Sequence, residues 1–135
     1  MSQIYDVDAD VFSPCAMSAV INEDTLPRLR CRIVAGGANN QLESEELGTE
    51  LDRRGILYAP DYAINAGGLM NSAIEREGYN EDRALRSVAR IHDIIGRILA
   101  LAARSNIPTW QAARRLAEER IAAISRIKLP YTSAQ

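Results

Sequence analysis

Lysine, histidine and cysteine are scarce in this sequence. Its 135 residues include one histidine, two cysteines and a single lysine, Lys128. His92 stands in a helical segment without a cysteine or second histidine at ligand spacing, which favours a partly exposed structural role. Cys15 and Cys31 lie in apolar settings without metal-ligand spacing, so we expect two buried, reduced thiols and no metal site. Cys15 also lacks a basic neighbour in sequence, which argues against a nucleophile.

The sequence also lacks a basic excess and a long apolar run. Acidic and basic residues are interleaved and give a formal net charge of -2, which is a poor match for a phosphate backbone. No apolar run approaches the roughly 18 residues of a membrane span. The amino-terminal MSQIYDVDAD is acidic where a secretory signal would be basic. We therefore expect a cytoplasmic protein that binds neither nucleic acid nor membrane.

Short apolar runs alternate with helical segments in the first sixty residues. Runs at 10–14, 30–36 and 55–60 are bounded by proline, glycine or charge, as strands buried on both faces are. Helical segments follow near 24–29 and 43–54. This βα rhythm predicts an α/β fold, a partial, Rossmann-like, doubly wound parallel sheet of about three strands.

From Pro60 onward the sequence predicts helices only. One helix is expected over 60–78, a second over 80–106 with Asn80 as its cap, and a third from Pro108. The apolar stripes of the last two helices comprise Leu85, Val88, Ile91, Ile95, Ile98 and Ala102, then Trp110, Ala113, Ala117, Ile121 and Ile124. We divide one compact unit into a βα part (1–60), packed helices (61–128) and a loose tail (129–135).

Glycines and asparagines follow the second predicted strand in the stretch GGANNQL, residues 36–42. Glycine lets the main chain approach a ligand closely, and a carboxamide offers donors and an acceptor that suit the amide and ribose hydroxyls of a dinucleotide. The alternative, given equal weight, is a loop in which Asn39 caps the next helix. In a parallel sheet this loop falls on the edge where ligands bind.

A second pair of glycines, Gly67 and Gly68, lies in YAPDYAINAGGLMNS. Each glycine inside a helix costs roughly 1 kcal/mol relative to alanine, so a close backbone approach must compensate. The approach is to a neighbouring strand or to a bound small molecule.

The order DVFSPCA, VAGGANNQL, GILYAPDYAINAGGLMNSA and AEERIA closely resembles the carboxyl-terminal portion of the dehydrogenases that deaminate glutamate, leucine, phenylalanine or valine, with the leucine branch nearest. The resemblance runs from about Tyr5 to about Ile127. It implies the later half of an NAD-binding domain, followed by helices that return towards a catalytic cleft.

The resemblance also implies roles for residues at both glycine-rich stretches. Asn40 would meet the nicotinamide end of NAD, and neighbouring backbone would line its ribose. The implied cofactor-binding residues are Cys15, Ala16, Gly37, Ala38, Asn39 and Asn40. The implied amino-acid pocket, with no catalytic residue in this chain, comprises Asn65, Gly67, Gly68, Leu69 and Ser72.

Two departures from the family pattern bear on activity. Ser72 matches the glutamate-specific members, whereas leucine-type members carry an apolar residue at this position. Ala63 replaces the usual valine of the leucine branch. The identity of the amino-acid substrate is therefore left open. The family's Gly-x-Gly-x-x-Gly turn, catalytic lysines and aspartate are missing. We expect a fragment that binds NAD weakly and lacks catalysis alone, working as a homo-oligomer or with a separate amino-terminal catalytic half. The alternative is a non-enzymatic interaction domain.

Overall fold

Three parallel strands and five α-helices make up the fold in the computed structural model, which describes residues 3–76 and 78–126. The strands are β1 (Val11–Phe12), β2 (Ile33–Val34) and β3 (Leu57–Tyr58). The helices are α1 (Glu45–Arg53), α2 (Asp61–Ile64), α3 (Gly67–Glu75), α4 (Glu81–Ser105) and α5 (Thr109–Ser125). Short 3-10 helices span Gln3–Asp6 and Leu26–Arg28. The predicted tail at 129–135 lies outside the described residues.

The sheet has the order β1-β2-β3 with every neighbouring pair parallel. Ile33 pairs with Val11 on one side and with Leu57 on the other. The predicted α/β fold with a three-stranded parallel sheet is confirmed. Each regular strand is two residues long, and so shorter than its predicted run, because the chain turns into loops as soon as it passes the sheet edge. All three carboxyl ends meet at one edge.

Two groups of buried apolar residues stabilise the molecule. Around the sheet they are Ile21, Leu26, Cys31, Val34, Leu51, Ile56 and Tyr58. Among the helices they are Ala63, Ile98, Leu101, Ala102, Ala112 and Ala113. The buried Thr109 hydroxyl connects the two, because it donates to the Tyr58 carbonyl at 2.6 Å. α5 therefore begins directly on β3.

The segment predicted as one helix over 60–78 is two helices. α2 ends at Ile64, and α3 begins at Gly67 after a break at Asn65 and Ala66. Gly67 is thus the first residue of a helix. At that position the flexibility of glycine carries a smaller penalty than inside a helix. The break places the Asn65 side chain at a corner that a continuous helix would not have.

The last two helices begin as predicted but are only half buried. The Asn80 side chain caps α4 by accepting the Arg83 N–H at 2.9 Å, which confirms the predicted cap. The predicted stripe is buried at Ile98, whereas on α5 Ile121 and Ile124 are 67% and 55% exposed. The two apolar stripes are therefore covered near the α4–α5 turn and exposed at the ends far from it. No helix in residues 3–76 and 78–126 is long and apolar enough to cross a membrane.

Candidate functional site

The loop after β1 and the loop after β2 lie directly against each other. The Ala38 N–H donates to the Pro14 carbonyl at 2.9 Å, and the Gly37 N–H approaches the Cys15 sulfur at 3.4 Å. A Cβ on Gly36 would stand 2.1 Å from the Pro14 oxygen. Only glycine fits between these two loops. The structure therefore brings together Pro14, Cys15 and the start of the GGANNQL stretch.

Asn65 connects this loop to the corner between α2 and α3. Its amide nitrogen donates to the Asn39 side-chain oxygen and lies 3.4 Å from the Ala38 carbonyl and 3.5 Å from the Gly37 carbonyl. The alternative role of Asn39 as a helix cap is wrong, because α1 begins after Ser44. Asn65 faces the loop predicted to bind the cofactor, although the family resemblance places it in the amino-acid pocket.

Asp61 holds the same loop from the other end of α2. One carboxylate oxygen accepts the Gln41 N–H at 2.7 Å, and the other accepts the Tyr62 N–H at 2.6 Å. Asp61 is only 7% exposed; its bond to Gln41 is buried, and its bond to Tyr62 is partly buried. The single turn of α2 is therefore joined to the loop at both its ends, through Asp61 and Asn65.

Gln41 organises the loop from inside. Its side chain is 0% exposed, and its amide nitrogen donates to the Gly36 carbonyl at 2.7 Å and to the Ala38 carbonyl at 2.9 Å. The amide oxygen is buried with no hydrogen-bond partner among the described residues. Sequence reasoning missed this role. The signal was present, since a carboxamide beside two glycines can satisfy carbonyls that a tight turn leaves unpaired.

Asn40 has its backbone in the left-handed region, with φ of 50°. Asparagine tolerates this conformation better than most residues do. Its carbonyl accepts the Ala19 N–H at 2.7 Å, while the residue itself is exposed at the sheet edge. Asn40 and Gly37 are thus two exposed residues of the same loop.

Apart from Asn65, the residues assigned to the amino-acid pocket lie on α3. Leu69 is 78% exposed, and Ser72, one turn later, is exposed as well. A Cβ on Gly67 would contact Val88 and Ile91 of α4 at 3.8 Å, whereas one on Gly68 would have no atom within 4 Å. Of the two alternatives for these glycines, the close approach to a strand is therefore wrong, and the approach to a small molecule stays a prediction. Leu69 and Ser72 thus lie on an exposed part of α3.

The two cysteines have opposite environments. The expectation that both are buried is wrong for Cys15, which is exposed, and right for Cys31. Hydrogen bonds from the Ser13 hydroxyl and the Gly37 N–H lower the pKa of the Cys15 thiol. Burial raises the pKa of Cys31. Cys15 is exposed because its loop ends at the sheet edge and its side chain turns towards Gly37.

Alkylation is expected to separate these thiols. At neutral pH, iodoacetamide should modify Cys15 more than about tenfold faster than Cys31, because the thiolate is the reactive form and only Cys15 is accessible. Peptide mass spectrometry against time measures both rates. The variant Cys15→Ser is the control and should lose the fast reaction only. Equal rates, or faster modification of Cys31, would contradict the described environments.

A cavity of about 590 Å³ lies apart from this edge, between α2, α4 and α5. Its wall is mainly apolar, with Ala63, Ile98 and Leu116 on the inside and charged residues such as Arg97 and Glu119 at the opening. None of the residues assigned to cofactor binding or to the amino-acid pocket lines it, although Ala63, the other departure from the family pattern, does. Size alone does not identify the candidate site, because the exposed carboxamides and the close loop contacts lie at the sheet edge.

This geometry defines a class of protein, the α/β domains with a parallel sheet. In that class ligands bind at the edge formed by the carboxyl ends of the strands. Residues 1–128 match the family described as Glutamate/Leucine/Phenylalanine/Valine dehydrogenase, and the chain belongs to that family. It is 48% identical over 133 residues to the leucine dehydrogenase of Thermoactinomyces intermedius, covering 98% of this chain and 36% of that protein. The chain thus spans little more than a third of the length of this relative.

Solved structures agree with this assignment. The chain is similar to L-tryptophan dehydrogenase from Nostoc punctiforme, with a TM-score of 0.87 and 46% identity, over 91% of this chain and 37% of that one. It also shares the fold of glutamate dehydrogenase from Thermus thermophilus, with a TM-score of 0.76 at 22% identity, over 95% of this chain and 32% of that one. The resemblance inferred from sequence motifs is confirmed.

Proposed function

We propose that this chain is the carboxyl-terminal, NAD-binding-domain portion of a leucine-type amino-acid dehydrogenase. The complete form would oxidatively deaminate an L-amino acid to a 2-oxo acid and ammonia. The observation that carries the proposal is the meeting of the Gly36–Asn40 loop with Cys15 and Asn65 at one sheet edge, in a chain of this family. The partner would be a catalytic half elsewhere, or further copies of the chain.

The residues at the edge suit one end of NAD. Asn40 would offer its carboxamide to the nicotinamide, and the backbone of Gly37, Ala38, Cys15 and Ala16 would line the ribose. A buried amide of Gln41 and the bonds from Asn65 hold this loop in one conformation, which lowers the entropy lost on binding. NAD, when bound, would accept hydride from the α-carbon of the amino acid.

The same residues supply only part of a cofactor site and none of the acid–base chemistry. The sequence has no Gly-x-Gly-x-x-Gly turn to hold a pyrophosphate, so binding by this chain alone would be weak. Its one lysine, Lys128, lies outside the family motifs. Leu69 and Ser72 would form one wall of an amino-acid pocket that is completed only in the whole enzyme. The chain alone is therefore proposed to be inactive.

A specific observation favours a second candidate, an interaction domain without catalysis. After Ala113, no residue of α5 is buried, although this part of the helix carries Leu116, Ile121 and Ile124. An amphipathic helix gains most of its stability by packing its apolar face against another surface. Association with another copy or another protein would provide that surface.

Calorimetric titration with NAD tests the first proposal. We expect binding in the millimolar range, because the nicotinamide side is present and the pyrophosphate turn is not. Asn40→Gly is the matched variant, since glycine keeps the left-handed backbone and removes the carboxamide; it should weaken binding several-fold. No binding at millimolar NAD would favour the interaction domain, and micromolar affinity would contradict the expected weakness.

An absorbance assay for NADH tests the proposed inactivity. With NAD as the oxidant and leucine or glutamate as the substrate, the purified chain should form no NADH above background. NADH formation that follows the chain through successive purification steps would show that the chain is catalytic by itself.

A further inference from the structure

A second cavity, of about 410 Å³, lies between α3 and α4. The α3 side contributes Met70, Ala73 and Ile74, and the α4 side contributes Arg83, Arg86, Ser87 and Arg90. The α4 residues are spaced three, four and seven positions from Arg83, so they share one flank of that helix. The cavity thus has an apolar wall and a basic wall facing each other.

The charge of this cavity is unusual for the chain. The sequence carries a net charge of -2, yet three guanidinium groups and one hydroxyl are the polar side chains of the wall, and no carboxylate of the described residues lines it. On α5, by contrast, Arg114 pairs with Glu118 at 3.1 Å and Arg115 with Glu119 at 3.0 Å. Within residues 3–76 and 78–126, Arg86 and Arg90 have no such partner.

We propose that this cavity binds a small molecule through a phosphoryl group. Arg86 and Arg90 stand one turn apart, about 6 Å along the helix axis, so both can reach one phosphate or the two halves of a diphosphate. Guanidinium groups match phosphate oxygens through paired hydrogen bonds. The Ser87 hydroxyl, between them, donates a further hydrogen bond. Met70, Ala73 and Ile74 accommodate the carbon part of the ligand.

The site is distinct from the candidate cofactor edge. α3 presents Met70, Ala73 and Ile74 to the cavity, whereas Leu69 and Ser72 lie on its exposed side. A ligand in this cavity would contact the back of the helix that carries the candidate amino-acid wall. The proposal of a phosphoryl site in this cavity is therefore independent of whether the strand-end loops bind NAD.

Inorganic pyrophosphate is the probe for this site. Calorimetric titration at constant ionic strength should give saturable, one-site binding to the whole chain, and Arg86→Gln and Arg90→Gln should each weaken it about tenfold by removing a charged pair of hydrogen bonds. Arg104→Gln is the matched control, because Arg104 is exposed on the same helix and outside the cavity. It should bind as the parent does.

Two further measurements, a conservative variant and a competing anion, distinguish a phosphoryl site from general attraction of anions to arginine. Arg86→Lys keeps the charge but loses the planar guanidinium, so its affinity for pyrophosphate should lie between those of the parent and Arg86→Gln. Circular dichroism checks that each variant is folded. Absence of saturable binding at millimolar pyrophosphate, equal affinity in the parent and both glutamine variants, or equal competition by citrate would overturn the proposal.

Discussion

Replacing Gly36 by alanine is expected to destabilise the fold by about 3 kcal/mol or more, the largest effect of any single methyl group here. The added Cβ would lie 2.1 Å from the Pro14 oxygen and 2.5 Å from the Pro14 nitrogen. Both are backbone atoms, so relief requires separating two loops joined by the Ala38–Pro14 hydrogen bond. The melting temperature should fall by about 10 °C.

The adjacent glycine provides the control for this prediction. A Cβ on Gly37 would meet only the Cys15 sulfur, at the ordinary contact distance of 3.8 Å, and its φ is not positive. Gly37→Ala should therefore melt within a few degrees of the parent. Thermal and urea unfolding, followed by circular dichroism, compare the three proteins. Equal stability of the two variants would show that the loops after β1 and β2 do not meet as described.

Replacing Gln41 by glutamate is expected to cost about 2 to 4 kcal/mol at pH 7. The introduced carboxylate would be buried, and it would face the Gly36 and Ala38 carbonyls without a proton to donate. Gln41→Met is the control of similar size. It loses two hydrogen bonds but also removes the unpaired amide oxygen, so it should cost only about 1 to 2 kcal/mol.

The pH dependence distinguishes charge from shape at this position. Burial raises the folded-state pKa of the introduced carboxyl above its unfolded value of about 4.3. The neutral form can donate a proton to a carbonyl, so the variant is closest to the parent below that value. Its stability should decline as pH rises from about 4 towards the folded-state pKa. Urea unfolding from pH 4 to 7 measures the trend; a pH-independent loss, like that expected for Gln41→Met, would contradict the buried contact.

Much of the fold could be predicted from local patterns. The three apolar runs before Pro14, Gly36 and Pro60 predicted the parallel strands, because buried strands need little more than apolar residues between turn signals. Asn80 predicted the start of α4 through its side-chain acceptor. The sequence also predicts a binding role for the strand-end stretches, because glycines and asparagines after a strand have few uses in a core; that role stays a prediction.

The contacts inside the site could not be predicted in this way. At the break between α2 and α3, Asn65 bonds to Asn39, 26 positions away, and periodicity within one segment contains no information about such a contact. The sequence places Asp61 at the start of a helix, but it does not indicate that the carboxylate accepts the Gln41 N–H. The exposure of Cys15 likewise depends on where the neighbouring loop lies. These are tertiary contacts between segments remote in sequence.

The short helix α2 has one more consequence. Asp61 and Asn65 fasten its two ends to the loop after β2, and α3 starts two residues further on. The five residues 61–65 thereby connect two regions. One is the loop proposed to face the nicotinamide, and the other is the surface of α3 proposed to face the amino acid. A displacement of the loop after β2 would therefore be transmitted through α2 to the first turn of α3, because the two are joined by these hydrogen bonds and a two-residue connection.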